Sequence, residues 1–197
     1  DVVVAGSQKA FMIPPGLCFV TMSEAAWEAT KTAKMPRFYF DLPAARKTLA
    51  KGENPWTPAV SLLYGLRESL DMIAEEGLTN VFARHLRLRN GVRAGAAVLG
   101  FEALASDDVA SPAVTSFLPP GGIEGDAFRK VLRGHYGLEL AGGQGPLKGK
   151  IVRFGHLGYV HEAEVLKGIS LMAAALAELG QAVDPARAVA AAREAMA

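Results

Sequence analysis

Asp1-Val-Val-Val-Ala-Gly-Ser-Gln-Lys-Ala-Phe-Met-Ile-Pro-Pro-Gly-Leu17 holds a single lysine between two apolar runs. Residues 2–5 are continuous and apolar, the pattern of a buried strand. Gly6-Ser7-Gln8 interrupts the run, Lys9 follows, residues 10–13 are apolar again, and Pro14-Pro15-Gly16 closes the stretch with turn residues. An ammonium flanked in this way is costly unless it is paired or neutral. Desolvation lowers its pKa and frees the lone pair, which is what a nucleophilic amine needs. A lysine snorkelling from a strand end explains the same pattern, and on pattern alone it is the commoner explanation. Residues 17–22 read as a second strand, the hairpin partner of the first.

A chain of 197 residues can bury roughly 70% of its unfolded surface, enough for a real core in one large domain or parts of two. Its 21 basic and 20 acidic residues nearly cancel and form no basic block, which argues against nucleic acid or an anionic membrane as partner. Cys18 is the only cysteine, so no internal disulfide forms and a cytoplasmic location is the simplest expectation. No apolar run reaches the length of a membrane span. No signal peptide is visible, and the sequence opens on Asp1 rather than Met.

Gly-Ser-Gln-Lys-Ala-Phe-Met-Ile-Pro-Pro-Gly-Leu, residues 6–17, resembles the cofactor-lysine segment of the class V aminotransferases, in the alanine–glyoxylate and serine–glyoxylate branch. These are pyridoxal-phosphate enzymes of fold type I. The resemblance implies that Lys9 carries the cofactor as a Schiff base and later moves the proton between substrate carbon and cofactor, and that Gln8 helps to hold the cofactor phosphate. It further implies a large N-terminal part ahead of the lysine, with a phosphate loop, a ring-stacking side chain and an Asp that keeps the pyridine nitrogen protonated, so that the ring acts as an electron sink. Eight residues cannot supply these. The expectation is therefore a C-terminal half: residues 1–85 as the end of the cofactor-binding large domain with a long linking helix, and residues 86–197 as a small C-terminal α/β domain.

Along the chain, Ser23 caps a helix to about residue 34, stopped by Met35-Pro36. Arg37-Phe38-Tyr39-Phe40 is read as packing rather than as a substrate mouth. Residues 42–50 are helical and 52–58 a loop. Thr57 stands as N-cap and Pro58 as first residue of the next helix, whose apolar positions are Val60, Leu63, Tyr64, Leu66, Leu70 and Ile73, with Gly77 as its stop. On physics alone Thr57 is an ordinary cap, although a helix N-terminus also suits a phosphate. Thr-Pro-Ala-Val-Ser-Leu-Leu-Tyr-Gly-Leu-Arg-Glu-Ser-Leu, residues 57–70, is similar to a family segment whose threonine reaches the cofactor phosphate of the neighbouring subunit. That resemblance implies a homodimer with shared active sites. Some members carry a tyrosine three residues earlier, where this chain has Asn54 and instead an aromatic at Trp56.

Residues 78–99 form a long helix whose arginines, Arg84, Arg87, Arg89 and Arg93, read as a solvated face. Its Gly91, Gly95 and Gly100 mark close packing or its end. Beyond it, strands are expected over 101–106, 114–118, within 135–141 and over 150–155, with helices over 126–134, 161–179 and 185–196; this alternation is that of an α/β small domain. Gly142-Gly143-Gln144-Gly145-Pro146 is a tight turn without the order of a phosphate-binding loop. Arg153 sits inside an apolar strand. A guanidinium binds a carboxylate by two parallel hydrogen bonds, though a structural ion pair at a strand edge is the commoner role for such a residue. Arg-Phe-Gly-His-Leu-Gly, residues 153–158, resembles the family's Arg-Ile-Gly-x-x-Gly segment, whose arginine binds the substrate carboxylate. The resemblance gives that role to Arg153. His156 receives none, and no spacing suggests a metal site.

The expected function is transfer of an amino group from an alanine- or serine-type amino acid to a 2-oxo acid such as glyoxylate or pyruvate. The alternatives are a non-catalytic partner or inactive fragment of such an enzyme, and a class V cysteine desulfurase relative. Desulfurases place His before the lysine and a mobile cysteine loop far downstream, whereas this chain has Gln8 and a Cys18 close to Lys9.

Overall fold

Val2–Gly6 (β1) pairs antiparallel with Cys18–Met22 (β2), from Val2 opposite Met22 to Gly6 opposite Cys18, as the hairpin reading expects. The strand is not buried, however. Val2, Val3 and Val4 are all more than half exposed, because a two-stranded ribbon covers neither of its own faces. The computed structural model describes residues 1–197, and they divide into two compact units, Asp1–Ala74 and Glu75–Ala197.

In the first unit Glu24–Thr30 (α1) starts on Ser23, whose hydroxyl accepts from the Ala26 amide, and Leu42–Leu49 (α2) starts on Asp41 in the same way. The aromatic cluster between them is not core. Phe38, Tyr39 and Phe40 are largely exposed and are ordered by one another and by Trp56, which stacks on Tyr39. Val60–Glu76 (α3) begins three residues after Thr57. Ala59, not Thr57, accepts the amide of Leu63, so neither the Thr57 cap nor Pro58 at the first helical position is realised. Of the expected apolar face only Leu66 and Ile73 are partly covered. Val60, Leu63, Tyr64 and Leu70 are exposed, and α3 turns Leu62, Gly65, Leu66 and Ser69 inward.

The second unit holds the core. Leu78–Val98 (α4) buries Val81, His85, Leu88, Val92 and Ala96 at helical spacing. Its glycines do what the sequence suggests. A Cβ on Gly91 would meet Met196 at 2.5 Å, and one on Gly95 would meet Ile169 at 2.9 Å. Gly91 thus admits the last helix, Pro185–Glu194 (α7), whose Ala192 carbonyl would lie 3.0 Å from the same Cβ, and Gly95 admits Glu162–Glu178 (α6). Gly100 takes φ 84° just past the helix end. A four-stranded antiparallel sheet completes the unit, in the order Glu102–Ala103 (β3), Val114–Leu118 (β4), Val152–Gly155 (β6), Ala141–Gly142 (β5). Gly125–Tyr136 (α5) lies between β4 and β5 in sequence. It runs through His135, where a strand is expected, and stops at Gly137 in the left-handed region. Phe117, Phe128, Leu132, Val152 and Ile169 are fully buried between sheet and helices. No helix is long and apolar enough to cross a membrane.

The α4–α6 contact gives a stability prediction. Alanine at Gly95 gains about 1 kcal/mol of helix propensity, but its methyl must displace a β-branched Ile169, and overpacking costs about 1–3 kcal/mol. Gly95→Ala is expected to lose about 1 kcal/mol net, read as a lower urea midpoint with an unchanged slope.

Candidate active site

The residues after β1 form two consecutive turns. The Lys9 amide donates to the Gly6 carbonyl at 3.4 Å, and the Lys9 carbonyl accepts from the Met12 amide at 3.0 Å. Lys9 is at the surface, so its apolar flanks do not supply the desolvation that the sequence pattern suggests. What the turn supplies is an accessible amine on a constrained backbone. Gln8 folds back over Gly6, where a Cβ would meet its Oε1 at 2.7 Å, and this puts an amide donor beside the Lys9 turn. Ser7 is fully buried beneath it. Thr57 is exposed in the loop before α3.

Arg153 belongs to the second unit, on β6. Val152 and Phe154 point into the core, so by strand alternation Arg153 points to the opposite face, beside Ser116 and Ala141, its register partners in β4 and β5. Its Nε donates to the Gly142 carbonyl at 2.8 Å. A cavity of about 460 Å3 opens on this face, lined by Arg153 together with Arg93, Ser111, Ser116, Gln144 and Leu147. Arg93 is already engaged by Asp107 and by the Ala105 carbonyl. The terminal amino groups of Arg153 have no protein partner, so both stand as free cationic donors on the cavity wall. The glycine turn beside them is tight for a steric reason: a Cβ on Gly143 would lie 2.0 Å from the Leu147 carbonyl oxygen.

The segment leaving β6 is held by side chains to which the sequence reading gives no such role. Arg84 is not part of a solvated face. Its side chain is 11% exposed, pairs with both carboxylate oxygens of Glu76, and donates to the carbonyls of Gly158 and Val160 at 2.8 and 2.9 Å. The hydrogen bond from Arg84 holds the Glu76 carboxyl below its ordinary range. His85, one residue on, receives the Gly158 amide at Nε2 and lies 2.8 Å from the Val81 carbonyl through Nδ1, which fixes its neutral Nδ1–H tautomer. His156 is fully buried. Its Nδ1 faces the Pro112 carbonyl at 3.1 Å and its Nε2 faces the Thr115 hydroxyl at 2.9 Å. Burial pushes its pKa down to about 4. Adjacent Arg-His on a buried helix face was the one signal in the sequence for this clamp. No group of three or more His, Cys, Asp or Glu converges as metal ligands would.

No protein-family model matches the chain. It is 47% identical over 180 residues to a protein of Synechococcus sp. described as the small subunit of a soluble hydrogenase, a match covering 91% of this chain and 47% of that one. It is 41% identical to the serine–glyoxylate aminotransferase of Hyphomicrobium methylovorum, over 90% of this chain and 44% of the relative. The crystal structure of pyridoxamine–pyruvate aminotransferase from Mesorhizobium loti shares its fold with a TM-score of 0.88 and 30% identity, over the whole of this chain and 51% of that one. The names of the two curated relatives describe different activities, while the solved fold is that of an aminotransferase. The chain spans about half the length of the relatives it matches. Pyridoxal phosphate is the cofactor of the homologous class V enzymes. Over about half the length of these proteins, the chain is homologous to serine–glyoxylate aminotransferases and shares the fold of the C-terminal portion of class V aminotransferases.

Proposed function

We propose that this chain acts as the C-terminal half of a pyridoxal-phosphate aminotransferase that moves an amino group from a small amino acid, of the alanine or serine type, to a 2-oxo acid such as glyoxylate or pyruvate. The observation that carries the reading is the state of Arg153: its Nε is fixed to a backbone carbonyl while both terminal amino groups stay free on a cavity wall. A guanidinium held in that way is pre-set for two parallel bonds to one carboxylate, the group common to amino acids and 2-oxo acids.

The other residues fit the cofactor by their chemistry. Lys9 offers an amine at the surface of a constrained turn, able to join an aldehyde and then to take and return a proton at the substrate's α-carbon. The Gln8 amide and the Thr57 hydroxyl are neutral donors suited to phosphate oxygens, with Thr57 serving the site of a second copy in a cytoplasmic homodimer. Bound pyridoxal phosphate supplies the electron sink that lets the Cα–H bond break. Arg153 orients that bond by fixing the carboxylate. The desulfurase alternative is disfavoured by Cys18, which is paired with Gly6 in the ribbon instead of standing on a mobile loop.

Borohydride reduction of the full-length, cofactor-loaded protein tests the central assignment. The peptide containing Lys9 should carry the cofactor after proteolysis. Fixation on another lysine, such as Lys31 or Lys34, would remove Lys9 from the role.

A further inference from the structure

The turn that carries Lys9 is held from two sides by serine hydroxyls that are almost completely buried, Ser7 at 0% and Ser69 at 3% exposure. Ser69 lies on α3, fifty-eight residues from its partner, and donates to the Phe11 carbonyl at 2.6 Å. Ser7 donates to the Pro14 carbonyl at 2.8 Å and accepts the Leu17 amide at 3.2 Å, while its own amide and carbonyl bond Leu17 and Ile13. Between these two anchors the chain makes an unfavourable turn. Met12 has φ 58°, a left-handed conformation that a residue with a Cβ adopts at a cost and keeps only where its surroundings enforce it. The Met12 amide is the one that closes the turn on the Lys9 carbonyl.

We propose that Ser69 and Ser7 are positioning residues for Lys9, holding the strained turn that aims its amine; this rests on the reading of Lys9 as the cofactor lysine. Ser69 acts next to the strained residue, since Phe11 precedes Met12 and the hydroxyl bond opposes relaxation of the turn. The same face of α3 confirms the close approach. Gly65 puts only hydrogen against Ile13, and Leu62 reaches the Gly16 backbone so closely that a Cβ there would lie 2.5 Å from its Cδ1. A polar side chain on this packed face answers the need of a turn carbonyl that no strand or helix satisfies. Ser7 closes the other end by joining residues 7, 14 and 17.

The test uses full-length Ser69→Ala, Ser7→Ala and Ser69→Thr. In the cofactor-free proteins, amide hydrogen exchange is read at Met12 and Leu17; each protein is then given pyridoxal phosphate, and the fraction fixed on Lys9 by borohydride is measured against the other lysines. Ser69→Ala should speed exchange at Met12 by about tenfold, the loss of one hydrogen bond, and lower fixation at Lys9 several-fold. Ser7→Ala should do the same at Leu17. Ser69→Thr, which keeps the hydroxyl, should restore both readouts. Should one alanine variant not fold, the other decides. Wild-type exchange and wild-type fixation at Lys9 in a folded alanine variant would overturn the proposal, even with a lowered melting temperature. Absence of fixation at Lys9 in the unaltered protein would instead overturn the cofactor assignment, and the exchange data would still report whether the serines hold the turn.

Discussion

Arg153→Met in the full-length protein should lower kcat/KM for a small amino acid by at least about a hundredfold, with KM rising for both the amino donor and the 2-oxo acid. The size follows from the bonds at stake. A hydrogen bond to a charged group contributes about 1.5–3 kcal/mol, the free terminal amino groups of Arg153 can make two, and about 1.4 kcal/mol is a factor of ten. Methionine fills similar volume, so the sheet should stay packed, but the Gly142 carbonyl loses its donor. Arg153→Lys keeps the charge on a flexible stem and gives up the planar two-point grip, so its loss should be intermediate. Steady-state kinetics with donor and acceptor varied separately decide the matter. An unchanged KM in both variants would mean that the carboxylate is bound elsewhere and would leave Arg153 a structural residue.

The parts of this fold that are legible in the sequence are those fixed by local chemistry. Ser23 before an apolar periodic run starts α1 because its hydroxyl accepts the Ala26 amide of the first turn, and the ribbon follows from two apolar runs joined by turn residues. The glycines of α4 signal close approach because nothing else justifies them in a helix. What the sequence hides is which of two apolar faces is covered. α3 has Leu62, Leu66 and Ile73 on one side and Val60, Leu63, Tyr64 and Leu70 on others, and periodicity does not choose between them. Thr57 shows the same limit at a helix end: it has the right side chain and a following proline, but the first turn closes on Ala59. Among the candidate functional residues, Lys9 and Arg153 stand out because each is a lone cation in an apolar run. Arg84, His85 and His156 do not stand out, since their importance lies in carbonyls and amides more than forty residues away, at Gly158, Val160 and Pro112.

His156 makes the second unit acid-sensitive in a defined window. Burial is the main cause of its lowered pKa, about 4 in the fold against 6.5 for an ordinary histidine, and the positive charge of Arg89 on α4 lowers it further. The Pro112 carbonyl, which accepts from Nδ1, acts in the opposite sense but does not prevail. Above pH 6.5 the ring is neutral folded or unfolded, so the full stability is present. Between 6.5 and 4 the unfolded chain binds a proton that the folded chain refuses, and stability falls as pH falls; below about 4 both forms are protonated and the loss levels off. At about 1.36 kcal/mol per pKa unit the loss is on the order of 3 kcal/mol. Glu76, held low by Arg84, loses its contribution in the same direction as its carboxylate protonates, so the total acid loss is not due to His156 alone. The difference between the wild type and His156→Asn isolates it. Asparagine can still donate to Pro112 but cannot titrate, and it leaves the Thr115 hydroxyl without its acceptor, at a cost of about 1–3 kcal/mol at every pH. Urea midpoints measured from pH 7.5 to pH 4 should fall less steeply in the variant, so that the two stabilities converge on the acid side. Parallel lines across that range would show that His156 takes its proton in the folded state as readily as in the unfolded one, and the buried-neutral account of the residue would be wrong.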